Sequence, residues 1–189
     1  MTHQFNHQVP VKIFPVIELG KTILREQSDE DAADFLSYYS NPEVSKFILC
    51  DIPHDVESAR TELAYWRGIF YRNDGIYFAI ATKEDNKVIG TVGLSGYNSY
   101  NSRIEISYDL SQEYWRRGIM TEAITAVVNH GFATWNVNRI EAVVAVNNLP
   151  SKNLLLKCGF TLEGILRQHR YHLGNYVDVC SFSMLKNDL

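Results

Sequence analysis

The segment 104–123 constrains the fold more than any other part of the chain, because its two halves follow different hydrophobic periods. Between residues 104 and 109, apolar residues alternate with polar ones, which is the period of a β-strand. From Met120 onward, apolar and small residues recur at the three- and four-residue spacing of an amphipathic helix. The segment therefore predicts a strand that passes into a helix through a short turn at residues 116–118.

The turn reads Arg116-Arg117-Gly118. A glycine turn that leads into a helix exposes unpaired backbone N–H groups at the positive end of the helix dipole, so it stabilises an anion such as phosphate. Two familiar phosphate sites are excluded, because the chain has no Gly-x-Gly-x-x-Gly and Gly118 is not followed by Lys-Ser or Lys-Thr. The alternative is an ordinary strand, turn and helix with surface arginines.

These residues resemble the pyrophosphate loop of the GNAT acyl-CoA N-acyltransferases, whose pattern is Gln/Arg-x-x-Gly-x-Gly/Ala. Residues 115–120 occupy that pattern here, and Trp115 and Met120 depart from it. The departures are similar to the ribosomal-protein N-terminal acetyltransferase-like (RimJ/RimL-like) subfamily, in which an aromatic-Trp pair, a glycine turn and Thr-Glu-Ala follow one another as they do over 114–123. The resemblance covers nearly the whole chain from Val16, and it implies an acetyltransferase that uses acetyl-CoA as co-substrate.

The pattern of elements predicts a single mixed α/β (α+β) domain over residues 16–189, after a loose lead-in at 1–15. The predicted strands lie at 16–25 (a strand pair or one strand bent around Gly20), 76–82, 88–94, 104–109, 139–146, 160–170 and 176–185, with a loop at 96–102. The predicted helices lie at 28–40, 43–48, 55–71 and 112–135. Because the last of these helices is a crossover, segment 139–146 should run parallel to the 104–109 strand. The resemblance implies a mostly antiparallel sheet in which this parallel pair splays apart.

The resemblance also implies where acetyl-CoA lies. The pantetheine arm is expected to pair with the exposed backbone of Ser107, Tyr108, Asp109 and Leu110 as an added strand would. The pyrophosphate is expected on the turn and the first helical residues, which are Arg116, Arg117, Gly118, Ile119, Met120 and Thr121.

A second block, Asn148 to Ser151 followed by residues 154–160, resembles the Asn-x-x-Ser…Leu-x-Lys-x-Gly-Phe block of these enzymes. It implies that Asn148 binds pantetheine, that Lys157 belongs to the cofactor site, and that the Ser151 hydroxyl lies near the sulfur, where it protonates or stabilises the leaving thiolate. The alternative is that Asn148 only shapes the turn and Ser151 only caps the following helix.

The implied chemistry is attack of a neutral amine on a thioester carbonyl, with backbone N–H groups of the 104–109 strand stabilising the oxyanion. Glu105 is the first choice of general base, directly or through water, and Asp109 is the second. Either is alternatively a solvated carboxylate on the outward face. In some subfamily members a glutamate beyond the Glu163-Gly164 pair acts as base, and ungapped matching places Arg170 there.

Histidines at 169 and 172 lie near the expected acceptor groove and could act on an amine, because histidine titrates near neutral pH. His130, on the crossover helix, is better interpreted as a polar-edge residue. The sequence contains no His-Glu-x-x-His or comparable ligand spacing, so no metal site is predicted.

Charge and cysteine content limit the partners. A formal net charge of -4 argues against a nucleic-acid-binding protein and suits a basic partner such as a ribosomal protein. Neither a signal peptide nor a membrane-spanning segment is visible. Cys50, Cys158 and Cys180 lack Cys-x-x-Cys spacing and lie in apolar segments, so they are predicted to be buried, reduced thiols of a cytoplasmic protein.

The preferred function is direct transfer of acetyl from acetyl-CoA, in a ternary complex, to a protein N-terminal α-amine such as that of a ribosomal protein. An α-amine with pKa ~8 loses its proton more readily at neutral pH than a lysine at ~10.4. The alternatives are an acetyltransferase for a small amine (a polyamine, an amino acid or an antibiotic), a non-catalytic acyl-CoA-binding module, and a pure interaction domain. A homodimer is compatible with the sequence.

Overall fold

The computed structural model describes residues 12–172 and 174–189, so the predicted lead-in lies outside the described residues as far as residue 11. In chain order the elements are β1 (Ile17–Glu18), β2 (Thr22–Arg25), α1 (Ala32–Tyr39), α2 (Pro42–Ser45), α3 (Val56–Tyr71), β3 (Gly75–Thr82), β4 (Val88–Asn98), β5 (Arg103–Leu110), α4 (Ile119–Thr134), β6 (Arg139–Ala145), α5 (Leu149–Lys157), β7 (Thr161–His172) and β8 (Asn175–Leu185). Short 3-10 turns lie at Asp29–Asp31, Gln112–Tyr114 and Lys186–Asp188.

Within the described ranges, eight strands form one sheet in the order β1-β2-β3-β4-β5-β6-β8-β7. Neighbouring strands are antiparallel except for β5 and β6, which are parallel as the crossover predicts. The predicted fold class is therefore confirmed: a single α/β domain with a mostly antiparallel sheet and flanking helices.

The parallel pair separates partway along its length. β5 and β6 pair only at Arg103–Arg139, Ile104–Ile140 and Glu105–Glu141. Beyond that point β5 stays paired with β4 as far as Leu110, and β6 stays paired with β8 as far as Ala145. Because the facing edges of β5 and β6 no longer bond each other, an opening forms in the middle of the sheet.

Two apolar clusters cover the two faces of the sheet. On one face α4 buries the predicted stripe from Met120 to Gly131 against strand residues such as Leu94. The approach is close, since a Cβ at Gly131 would lie 2.6 Å from Leu94 Cδ1. On the other face α1 and α3 bury Phe35 and Leu63 against β3 and β4. None of these helices in the described ranges is long and apolar enough to cross a membrane.

Several predicted boundaries were wrong. The helix expected from residue 112 begins only at Ile119, because residues 112–114 form a 3-10 turn and the glycine turn follows it. The helix expected over 43–48 ends at Ser45, and β4 continues into the expected loop as far as Asn98.

The cysteine prediction was only partly right. All three cysteines are free, but Cys50 is exposed, Cys158 is half-buried and only Cys180 is buried. Cys50 is exposed because it lies in the loop after α2, outside both apolar clusters.

Candidate active site

The turn before α4 has an unusual backbone that presents free N–H groups. Arg116 and Gly118 both have positive φ, +60° and +82°, and Gly118 is the N-cap of α4. The first helical hydrogen bond runs from Glu122 N–H to the Gly118 carbonyl at 3.1 Å, so the N–H groups of residues 119–121 precede it. The Trp115 indole Nε1–H donates to the Leu110 carbonyl at 2.8 Å and fixes the turn against the end of β5.

A cleft of about 540 Å³ opens beside this turn, and we call it the turn cleft. It is lined by α2 and the loop after it, the end of β5, the turn itself, the start of α4 and residues along α5. Three of its lining residues are cations, Arg116, Arg117 and Lys157. Apart from the neighbours of Gly118 in the chain, no heavy atom of the described residues lies within 4 Å of the position that a Cβ would take at Gly118, so a ligand can approach the backbone there. These features fit a phosphate-bearing ligand at the N-terminus of a 16-residue helix.

A second cleft, of about 600 Å³, fills the opening between β5 and β6, and we call it the sheet cleft. Its walls include backbone and side chains of the diverging strands, the loop after α2, aromatic residues of α3 and Arg170 of β7. Trp66 stacks on Tyr77 with ring centroids 4.4 Å apart, and its Nε1–H donates to Glu62 at 2.6 Å. The α3 aromatic residues therefore form part of a cleft wall, with Tyr65 at its exposed rim.

The two clefts meet. Among the described residues, those that line both clefts are Phe47, Ile48, Tyr108, Asp109, Asn148 and Ser151. The structure thus brings together the residues named from the sequence for catalysis and cofactor binding, but not the histidines considered for the acceptor groove. Ser107 and Glu105 lie in the sheet cleft, and the others lie in the turn cleft or at the junction. The junction is where a ligand in one cleft would contact a ligand in the other.

At the junction, α5 begins with Asn148, whose side-chain oxygen accepts the Ser151 backbone N–H at 3.2 Å. Asn148 therefore caps the helix. The Ser151 hydroxyl instead lies 2.7 Å from the Tyr108 hydroxyl, which reaches it from β5 across the opening. This tyrosine contact could not be predicted from the sequence, because 43 residues separate its partners.

Glu105 is half-exposed in the sheet cleft, where the Arg170 guanidinium lies 3.1 Å from its carboxylate. Burial raises the pKa of Glu105, and the charge of Arg170 opposes that rise. Arg170 follows an irregularity in β7 at which Gln168 has a φ of +51° and donates its N–H to the Asp178 carboxylate at 2.8 Å. Arg170, which ungapped matching aligns with a catalytic glutamate of the subfamily, thus forms an ion pair with Glu105, the predicted base.

Asp109 has a different environment. Its carboxylate accepts the Tyr38 hydroxyl at 2.7 Å, the Thr91 hydroxyl at 2.6 Å and the Thr91 backbone N–H at 3.2 Å. Burial raises the pKa of Asp109 to about 6, although the bonds from Thr91 and Tyr38 act to lower it. Asp109 is half-buried and held by three hydrogen bonds, so its carboxylate is not freely solvated.

The histidines weighed from the sequence are not brought to the clefts. Neither His169 nor His172, both on β7, is among the described residues that line them. His130 is half-buried on α4, with its ring edge-on to Phe78 at 6.1 Å. In residues 12–172 and 174–189, no group of three or more His, Cys, Asp or Glu could hold a metal ion.

Comparison with known proteins gives one consistent family. The acetyltransferase (GNAT) domain matches residues 21–161. The uncharacterized N-acetyltransferase YoaA of Bacillus subtilis (strain 168) is 34% identical over 174 residues, which cover 92% of this chain and 98% of YoaA. The ribosomal-protein-serine acetyltransferase of Escherichia coli (strain K12) is 31% identical over 97 residues, 51% of this chain and 54% of that one. The crystal structure of the ribosomal-protein-S5-alanine acetyltransferase from Vibrio fischeri superimposes with a TM-score of 0.80 at 24% identity, over 92% of this chain and 98% of that one.

Proposed function

The chain belongs to the GNAT acetyltransferase family, and on that premise we propose that it transfers the acetyl group of acetyl-CoA to the N-terminal α-amine of a protein. It is an acyltransferase of the N-acetyltransferase class, and enzymes of this family use acetyl-CoA. The observation that carries the proposal is the meeting of the two clefts where β5 and β6 diverge. One cleft suits the co-substrate and the other suits the acceptor.

The co-substrate is assigned to the turn cleft. The pyrophosphate is proposed to bind the N–H groups at the start of α4 with Arg116 and Arg117 beside it. The pantetheine arm is proposed to pair with the β5 backbone over residues 107–110, which has no β6 partner beyond Glu105. Asn148 and Lys157 would bound this path from α5. Bound in this way, acetyl-CoA supplies an activated carbonyl at the junction of the clefts.

The side chains at the junction suit acyl transfer. The Ser151 hydroxyl is proposed to donate a proton to the departing thiolate, and Tyr108 is placed to orient that hydroxyl. Backbone N–H groups of β5 are proposed to stabilise the oxyanion. Glu105 is proposed to take the proton that an incoming ammonium must lose before it can attack, since burial raises the pKa of this carboxyl.

Three observations support a protein acceptor. The Escherichia coli relative named above is described as acting on a ribosomal protein. The net charge of -4 would attract a basic partner. The sheet cleft is bounded by exposed or half-buried aromatic residues, Phe47, Tyr65 and Trp66, which suit the side chains next to an amino terminus. A homodimer stays a prediction.

The experiment is a thiol-release assay with acetyl-CoA and a panel of amines. The panel contains peptides with free α-amines and the same peptides with blocked N-termini, each with an internal lysine either retained or replaced. It also contains small amines such as polyamines, amino acids and an aminoglycoside. The proposal predicts turnover with free α-amino peptides only. Turnover confined to small amines would assign the enzyme to the small-amine alternative. Absence of thiol release with every amine in the panel would contradict the proposal.

A further inference from the structure

One carboxylate occupies a distinctive position between the two clefts. Four carboxylates line the sheet cleft (Asp74, Glu105, Asp109 and Glu141), and two line the turn cleft (Glu43 and Asp109). Among the described residues, Asp109 is thus the carboxylate common to both. Because the amine and the thioester must meet where the clefts join, the proton released in the reaction appears beside this residue.

The carboxylate is held but not neutralised. A carboxylate has about four lone-pair positions, and three of those on Asp109 are filled by Tyr38 and Thr91. One of its two oxygens, Oδ2, accepts only the Thr91 hydroxyl from the described residues. The carboxylate also has no ion-pair partner among them. The side chain is therefore fixed in one orientation while an oxygen keeps capacity to accept a proton.

The groups that face Asp109 leave its charge uncompensated. They are Tyr38 and Tyr39 from α1, Tyr77 from β3 and Cys50 from the loop after α2. Burial raises the pKa of the three tyrosine hydroxyls, and desolvation of the Cys50 thiol, which lies 3.5 Å from the Tyr39 hydroxyl, raises its pKa although the residue as a whole is exposed, so all four groups are neutral at pH 7. A carboxylate without a cation in such surroundings is costly to the folded state. This cost points to a use for the charge.

We propose that Asp109 is the catalytic base that takes the proton from the amine nitrogen as that nitrogen attacks the thioester. The inference rests on the proposed function. As the C–N bond forms, the N–H proton passes to Asp109. The C–S bond breaks with its electron pair on sulfur, and the sulfur takes a proton from the Ser151 hydroxyl, which water restores. Asp109 then releases its proton to solvent through the sheet cleft. The nitrogen loses two protons in all, the first of them before attack.

Glu105 is less suited to this second step. Glu105 lines the sheet cleft but not the turn cleft, and it lies at the last position where β5 and β6 still pair. Its carboxylate also forms an ion pair with Arg170. Asp109 lies four residues further along the same strand face, a distance of about 13 Å at ~3.3 Å per residue. Its pKa of about 6 also suits a base that must be ionised near neutral pH and still accept a proton.

The test compares the full-length wild-type protein with Asp109→Asn, using acetyl-CoA and an acceptor found in the thiol-release assay. We expect kcat to fall by about 100-fold or more, the size typical of a lost general base, with the KM for acetyl-CoA within about threefold. Wild-type kcat should fall on the acid side with an apparent pKa near 6, and the variant should lack this limb. Asp34→Asn is the matched control, because Asp34 also joins α1 to β4, accepting Val88 N–H at 3.1 Å, but lies outside both clefts.

Tyr38→Phe gives an independent reading. The Tyr38→Phe variant keeps the Asp109 carboxylate but removes a hydrogen bond that lowers the pKa of Asp109. The fall of kcat on the acid side of its pH profile should therefore move to higher pH, while the maximal kcat at high pH is retained. Thermal melting of each variant without ligand shows whether it is folded. A folded Asp109→Asn variant that keeps a third or more of kcat, or an acid limb unmoved by Tyr38→Phe, would overturn the inference and leave the proposed function standing. A wild-type protein without turnover would overturn both.

Discussion

Replacing Asp109 by asparagine should stabilise the folded protein at neutral pH, although it removes a charged side chain that makes three hydrogen bonds. Asparagine has nearly the same shape and can still accept the bonds from Tyr38 and the Thr91 N–H. The Thr91 hydroxyl can rotate to accept from the new amide. The substitution therefore removes the buried charge without creating a cavity.

The magnitude follows from the pKa. The pKa of Asp109 is raised from 3.8 to about 6 in the folded protein, so the folded state binds more protons than the unfolded state between these values. Stability must then fall as pH rises through that window. One pKa unit corresponds to about 1.36 kcal/mol, so raising the pH through the whole window lowers the unfolding free energy of the wild type by about 3 kcal/mol. Roughly half of that loss has occurred by pH 5. The asparagine variant has no such loss.

The assay is urea unfolding of both proteins, without ligand, at intervals from pH 4.5 to 8. The difference in unfolding free energy between variant and wild type should grow with pH in favour of the variant and become constant above about pH 7. Subtraction removes every other titrating group, because both proteins share them. A difference that does not change with pH, or that grows in favour of the wild type, would refute the buried-charge argument.

Three further substitutions test the site. Arg117→Ala should weaken CoA binding, measured by calorimetry, roughly fivefold, which is about 1 kcal/mol for one charge beside a phosphate. The melting temperature should not fall, because Arg117 is exposed. Equal weakening of CoA binding by Lys186→Ala, a change outside both clefts, would make the effect nonspecific. Trp115→Phe removes the indole hydrogen bond to the end of β5 and should weaken CoA binding by about 1 kcal/mol; unchanged affinity would show that the bond does not hold the turn. Ser151→Ala should lower kcat about 100-fold with little change in KM. Adding Tyr108→Phe should lower kcat no further, and additive losses would contradict coupling through the 2.7 Å contact between the two hydroxyls.

The sequence predicted the parts of this molecule that depend on local periodicity. The buried face of α4 and the parallel placement of β6 follow from residue spacing and from the crossover rule. The start of α4 was missed because the segment from Gln112 has a helical composition. Its backbone is diverted by positive φ angles at Arg116 and Gly118, and the arginine is an uncommon residue for that conformation.

The contacts that give the candidate site its chemistry join distant parts of the chain. Tyr38 and Asp109 are 71 residues apart, and Glu105 and Arg170 are 65 apart. Periodicity places Glu105 and Asp109 on one face of a strand but does not say which helix or hairpin covers each of them. A carboxylate paired with arginine and a carboxylate held by hydroxyls are therefore indistinguishable at the level of sequence.

Acetylation of an α-amine by this protein with acetyl-CoA is best tested by identifying the acetylated product. The protein should be incubated with acetyl-CoA and a peptide that carries both a free N-terminus and an internal lysine, and the peptide should then be fragmented in a mass spectrometer. We expect one acetyl group, located on the N-terminal nitrogen, and none on a peptide whose N-terminus is blocked. Acetyl on the lysine alone, or no acetylated peptide with any sequence supplied, would contradict it.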